Sequence, residues 1–383
     1  MIHSSYIEIS KSALQNNLNF LKSLIGPSIK FSSVIKGNAY GHGIEQFAPL
    51  AQELGINHFS VFSTDEALRT ISSLSSPANV MIMGYIDKPE LEWAILNDVI
   101  FYVFELNRLQ ETIKVAKLLK KKAKINLDLE TGMNRLGINA AELPQVIEVL
   151  QANQEHVQVH GVSTHFAGAE SYQNHDRVMQ QFNVYNTLVQ KFSKASIKPE
   201  LKHTACSAAV VAYPDSHMDM VRVGIMQYGL WPSPEIYQQY MTSHEVKKDP
   251  LQRIISWKSR IMTLKHVAKG EYVGYGTSYQ APSDLLLAVV PVGYAWGYSR
   301  SLSNQGHVLV REQVANVIGI INMNLMMIDV TAIPDVHPED EVVLLGKQGK
   351  ESITVRSFSE LSSQLNYEML TRLPLNIPRV VVY

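Results

Sequence analysis

The sequence predicts an α/β protein, an N-terminal (β/α)8 barrel followed by a smaller, mainly β domain. Eight short apolar runs lie at 31–35, 58–62, 79–83, 100–104, 123–129, 157–164, 201–205 and 218–223. Longer segments with helical spacing of their apolar residues separate them, among them 44–54, 64–72, 106–121 and 176–193. After Trp231-Pro-Ser-Pro234 the helical patterns almost stop and glycine-punctuated apolar runs take over.

Eight strand-then-helix units read as a closed parallel barrel, and the runs are apolar enough to be buried on both faces. An open doubly wound sheet is the competing arrangement, but its glycine-rich dinucleotide fingerprint is absent. The barrel is assigned to residues 1–238 and the β domain to 239–383, with residues 1–10 able to pair with the latter. Runs at 254–267, 285–292, 306–310, 316–321, 325–330, 341–345 and 353–356 supply its strands, with one helical pattern at 357–365.

A chain of 383 residues can bury a sizeable core. Thirty-four basic against 35 acidic residues leave no electrostatic footprint for nucleic acid. The dense run Lys117-Leu-Leu-Lys-Lys-Lys122 reads as the solvated end of a helix. A single cysteine, Cys206, excludes an internal disulfide and fits a reducing compartment. No secretory signal and no membrane-length apolar run are visible, so a soluble, cytoplasmic protein is expected.

A barrel places its chemistry at the carboxyl ends of its strands. Lys36 follows the first run, Arg135 the fifth, His165 ends the sixth, Ser207 follows the seventh, and Arg222 with Gly224 closes the eighth. A lysine at a strand end is either an ordinary surface residue or a desolvated amine able to form a Schiff base. The loops after strands seven and eight usually hold a phosphate, for which the Ser207 hydroxyl and the N–H groups around Gly224 and Ile225 are candidates. Ser207 also reads as a helix N-cap, which is compatible with that role. Tyr40 adds a phenol. A phosphate site beside a lysine suggests pyridoxal phosphate; the donor set points to no metal.

Val34-Ile-Lys-Gly-Asn-Ala-Tyr-Gly-His-Gly43, Thr131-Gly-Met-Asn-Arg-Leu-Gly137, His203-Thr-Ala-Cys-Ser-Ala-Ala209, Val221-Arg-Val-Gly-Ile225 and Val273-Gly-Tyr-Gly276 follow one another along nearly the whole chain. In these motifs the sequence resembles the alanine racemase family, fold-type III enzymes dependent on pyridoxal 5'-phosphate. The resemblance implies a homodimer with shared active sites that interconverts L- and D-alanine with two bases. Lys36 would carry the cofactor and act as one base; Tyr275, from the partner's β domain, would be the other. Arg222 would face the pyridine nitrogen, with His203 orienting it and His165 against the ring. Arg135 would hold the cofactor phenolate and the substrate carboxylate. The backbone N–H of Met323 would contact that carboxylate, and Tyr294 would line the entrance. Structural roles remain open for Tyr275 in its glycine-flanked turn, for both histidines, and for Met323 as packing.

The sequence also departs from the family pattern. Asp128 stands where many relatives carry a lysine, often carbamylated, which suggests a direct carboxylate partner for Arg135 or, alternatively, a solvent-facing strand end. Trp296, Asn324, Ile320 and Leu375 replace more polar or larger family residues near the mouth. They leave a serine or broad-specificity racemase as the alternative, with a non-catalytic cofactor carrier from a different class.

Overall fold

The computed structural model describes residues 3–355, 358 and 366–383. The chain forms two compact units: Ser12–Gly37 with Ala48–Arg253, and Met1–Lys11 with Asn38–Phe47 and Ile254–Tyr383. Strand β1 (Ser5–Ser10) belongs to the second unit.

The first unit is the barrel. Its strands are β2 (Lys30–Val34), β3 (His58–Val61), β4 (Asn79–Ile82), β5 (Ile100–Val103), β6 (Ala123–Asp128), β7 (Val157–Ser163), β8 (Leu201–His203) and β9 (Met220–Val223). All pair in parallel, in the order β8-β7-β6-β5-β4-β3-β2-β9. The eight expected runs are these eight strands. Every residue of β3, β5 and β9 is buried, as strands covered on both faces require. Met81, Ile100, Tyr102, Leu201 and Met220, drawn from four strands, meet in one buried cluster.

The ring has a seam. Between β8 and β9 there is no continuous ladder; the Arg222 N–H donates to Ala205 O at 3.0 Å and the Asp219 N–H to Lys202 O at 3.0 Å. A second irregularity lies in β7, where the pairing with β6 skips His160: Ile125 faces Val159, and Asn126 faces Gly161. Such a bulge re-aims side chains, and here it sets a glycine opposite an inward polar residue.

The second unit is built on a ten-stranded sheet. Its strands after β1 are β10 (Ile255–Arg260), β11 (Thr263–Val267), β12 (Leu285–Val290), β13 (His307–Val310), β14 (Gln313–Ile318), β15 (Met326–Asp329), β16 (Glu341–Gln348), β17 (Glu351–Ile353) and β18 (Arg379–Val382). They run β11-β12-β15-β14-β13-β16-β10-β1-β18, with β17 on β16. β1 pairs antiparallel with β10 and parallel with β18. The apolar run at 254–267 divides into β10 and β11. Of the helical pattern at 357–365 only Phe358 is described, and Arg356 of the last apolar run also lies outside the described residues.

Candidate active site

Lys36 follows β2, and its approach is fixed by a set of buried bonds. Val34 O accepts from Gln227 Nε2 at 2.9 Å and from the Tyr228 hydroxyl at 2.9 Å. The Ser33 hydroxyl donates to Gln227 Oε1 at 2.7 Å, and the Ile35 N–H to Ser60 O at 2.8 Å. Lys36 itself is exposed to solvent at the mouth of the barrel. The protein around its amine still lowers its pKa through burial, then Arg135, with Arg222 adding to the effect and Glu66 opposing it. That favours the uncharged, nucleophilic amine.

The backbone beyond Lys36 is strained. φ is 62° at Gly37, 55° at Asn38, 53° at Ala39, 51° at Tyr40 and 83° at Gly41, so the single turn Lys36–Tyr40 winds left-handed. Each non-glycine residue in that region costs about 1–2 kcal/mol. Buried His42 offsets part of this: its Nδ1–H lies 2.9 Å from Ala39 O and 3.0 Å from Tyr40 O, and the Gly43 N–H reaches Asn38 O at 2.9 Å. Gly41 allows a close approach, since a Cβ there would lie 1.9 Å from Leu370 O. Tyr40 meets the ring of Tyr367 edge-on, with centroids 6.4 Å apart. Tyr40 belongs to the β unit, unlike the remaining cofactor candidates.

Arg222 on β9 is buried, and its guanidinium is held by the barrel. Nη1 donates to His203 Nδ1 and, at 3.0 Å, to His203 O; Nη2 donates to Thr164 O at 2.8 Å and to Thr204 O at 3.4 Å. Those four bonds leave Nε–H as the remaining donor. His203 Nε2 lies 2.7 Å from Asn126 Oδ1, so that nitrogen carries the proton and Nδ1 is the acceptor. Burial, then Arg222, then the nearby His58 and His160 hold the His203 pKa well below its ordinary value, so the ring is neutral.

His165 is part-buried at the same rim. Its pKa falls to about 3 through burial and the charges of Arg222, Arg135 and Lys36. Asp128 is pushed up to about 7: burial raises it, while Arg222, the Ser163 hydroxyl and Arg135 pull it back and Glu130 adds to the rise. The Asp128 carboxylate accepts from Ser163 Oγ at 3.1 Å. Arg135 acts on it through space and forms no direct bond with it, so the expected pairing of Asp128 with Arg135 is replaced by Ser163. The loop carrying Arg135 is shaped by Glu130, whose carboxylate takes the N–H groups of Gly132, Asn134 and Arg135. Burial opposes ionisation of Glu130, yet these backbone bonds hold its pKa below the ordinary value.

Ser207 begins the helix Ser207–Ala212, with Cys206 at the cap position. Its oxygen accepts the Gly224 N–H at 2.9 Å, which leaves the Ser207 hydroxyl proton free to be given to an anion. Gly224 thus supports the hydroxyl directly. Ile225 starts the buried 3-10 turn Ile225–Tyr228. Arg135 and Arg222 both act on Lys36, Asp128 and His165, which lie with them at the carboxyl ends of the strands.

In the β unit, Tyr275, Tyr294 and Met323 are 70%, 42% and 55% exposed. Backbone contacts tie their segments together: the Tyr294 N–H donates to Asn322 O at 3.1 Å and the Ala295 N–H to Met323 O at 3.0 Å. A Cβ on Gly293 would lie 2.1 Å from Asn322 O, so only glycine lets these two segments meet. Val273 O lies 2.8 Å from where a Cβ of Gly319 would sit, joining the Tyr275 turn to the segment carrying Ile320. Leu375 is exposed, as is Asn324, and Trp296 is half-buried.

Residues 9–232 match the family model described as alanine racemase, N-terminal domain, and residues 254–381 match alanine racemase, C-terminal domain. The chain belongs to the alanine racemase family. It is 36% identical over 380 residues to the alanine racemase of Leptospira interrogans serogroup Icterohaemorrhagiae serovar copenhageni (strain Fiocruz L1-130), covering 99% of this chain and 96% of that one. The solved alanine racemase of Clostridium difficile 630 superposes with a TM-score of 0.91 at 29% identity, over 100% of this chain and 96% of the other. The alanine racemase from Bacillus anthracis with bound L-Ala-P gives 0.90 at 28% identity, with the same coverage. Alanine racemases thus share both the barrel and the β unit with this chain. No helix among the described residues is long and apolar enough to cross a membrane, and no metal-binding cluster occurs among them.

Asn126, Ser163, Thr164, Gln227 and Gly161 support the site, and the sequence reading did not single them out. A signal existed for two of them. Asn126 and Asp128 are two apart on β6, and Ser163 and His165 two apart at the end of β7, so each pair shares a side of its strand.

Proposed function

We infer that this chain is an enzyme that interconverts L-alanine and D-alanine using pyridoxal 5'-phosphate, as a homodimer with shared active sites. The observation that carries this reading is an amine, Lys36, with a lowered pKa on the same rim as an arginine that keeps only Nε–H in reserve. The donor set fits the cofactor. Lys36 suits its aldehyde, Ser207 its phosphate together with Gly224, Ile225 and Tyr40, Arg222 its ring nitrogen, Arg135 its phenolate, and His165 the ring face. When bound, pyridoxal phosphate supplies an electron-accepting ring that acidifies the α-C–H of the attached amino acid.

The chain's own residues do the rest. Lys36 Nζ takes or returns the α-proton on one face, and Tyr275 of a second copy does so on the opposite face, as inversion requires. Arg222 stays charged and cannot accept a proton, so it disfavours protonation of the ring nitrogen and weakens competing bond cleavages. Neutral His203 orients the guanidinium. Arg135 and the Met323 N–H hold the substrate carboxylate, with Tyr294 at the entrance. Exposure of Tyr275, Tyr294 and Met323 on the isolated chain supports a face that another copy covers.

The test is α-proton exchange. Purified protein with pyridoxal phosphate is incubated in heavy water with individual L-amino acids, and deuterium uptake and product chirality are followed. Deuterated D-product, strongest with alanine, is expected. Preference for serine or basic amino acids moves the reading to a broader racemase, and cofactor binding without any exchange overturns catalysis.

A further inference from the structure

Four hydrogen bonds join Arg222 to Asp128 through the barrel interior, and with Asp128 ionised their directions are all fixed by chemistry. The Arg222 guanidinium can only donate, so His203 Nδ1 accepts. The proton of neutral His203 is therefore on Nε2, and it goes to Asn126 Oδ1 at 2.7 Å. With its oxygen so engaged, Asn126 turns its amide nitrogen to Ser163 Oγ at 2.8 Å. The Ser163 hydroxyl then donates to Asp128 Oδ1 at 3.1 Å. Each member has one donor and one acceptor used in the same sense, so reversing any one of them leaves two donors or two acceptors facing each other.

We propose that Asn126 and Ser163 are positioning residues, a one-way relay that fixes the His203 tautomer and gives the Arg222 guanidinium Asp128 as its counter-charge at a distance. The functional part of this rests on the racemase reading, in which Arg222 faces the cofactor ring.

Packing supports the assignment. Asn126, Ser163, His203 and Arg222 are all buried, where an unsatisfied polar group is costly. Gly161 stands opposite Asn126 because β7 bulges at His160, and a Cβ there would lie 2.1 Å from Asn126 Oδ1 and 3.0 Å from His203 Nε2. The corridor exists only because that position lacks a side chain. Charged or titratable groups felt along it are Arg222, Arg135 and Glu130 at Asp128, and Arg222, His58 and His160 at His203; Tyr102 feels Arg222, Asp128 and Arg135 and is a further hydrogen-bond partner of Ser163.

The experiment uses the holoenzyme with 15N-labelled histidine, read by long-range proton–nitrogen NMR above the Asp128 transition, together with steady-state kinetics of Ser163→Ala, Ser163→Thr and Asn126→Leu. Wild-type His203 is expected as the neutral Nε2–H form. Ser163→Ala and Asn126→Leu are expected to lower kcat by about 10-fold with little change in KM, the lower end of the cost of losing the partner behind a metal-bound histidine. Ser163→Thr, which keeps the hydroxyl, should restore the rate. A wild-type His203 that is protonated on Nδ1 or on both nitrogens overturns the relay, as does an unaltered kcat in Ser163→Ala. The tautomer is measured on the protein whether or not it racemises alanine. A failure of the racemase reading is thus separable from a failure of the relay, and the wild-type spectrum decides even if Asn126→Leu does not fold.

Discussion

The barrel rim and the exposed face of the β unit are built on opposite principles. At the rim, Arg222, His203, Asn126, Ser163 and Asp128 satisfy one another inside a single chain. On the β unit, Tyr275, Tyr294 and Met323 project large side chains into solvent, while backbone bonds tie the segments of Tyr294 and Met323 together. The first region is preorganised by its own fold. The second leaves these side chains exposed, and on the proposed reading a second copy would complete their surroundings. On the proposed reading, Lys36 would be a base tuned by the chain that carries it, and Tyr275 one that acquires its environment on assembly.

The sharpest way to separate the two regions is to remove each base. Lys36→Ala is expected to reduce racemisation by about a thousandfold or more with the fold retained, measured by D-alanine formation and circular dichroism. Tyr275→Phe is expected to reduce conversion by about 10²–10⁴-fold while α-proton exchange persists for one enantiomer only. Equal loss of exchange from both enantiomers would assign the second base elsewhere. A smaller effect tests the prebuilt rim. Gly161→Ala places a methyl group against Asn126 and is expected to cost about 1–3 kcal/mol, read by chemical denaturation.

The last test reads a slope. The Asp128 carboxyl has a pKa of about 7 when folded against an ordinary 3.8, mainly through burial. The folded chain therefore prefers the protonated acid, and the stability this gives is present below about 4 and lost as pH rises through about 7. Asp128→Asn should flatten that part of the stability profile. Unchanged pH dependence of the denaturation midpoint between those limits would show that Asp128 ionises normally.

Much of this was legible in the sequence, for physical reasons that also mark where legibility ends. Strands buried on both faces, such as β5, write themselves as unbroken apolar runs, and the barrel followed from them. Lys36, Arg222 and His165 stood out because a charged or ionisable residue interrupts or ends such a run. Asn126 and Gly161 did not, because their meaning lies in a bulge that pairs them across two strands distant in sequence. The left-handed turn at 37–41 was visible as a glycine-rich segment, but its handedness depends on Leu370 and His42, which no local pattern reveals.

The seam between β8 and β9 has a last consequence. The amide of Arg222 closes the barrel there through Ala205, while the guanidinium of the same residue serves the site. If Arg222 serves the cofactor as proposed, opening of the wall at this point would displace it, and opening and loss of activity would coincide. Exchange of one backbone hydrogen, that of Arg222, would then report on the site as well as on the fold.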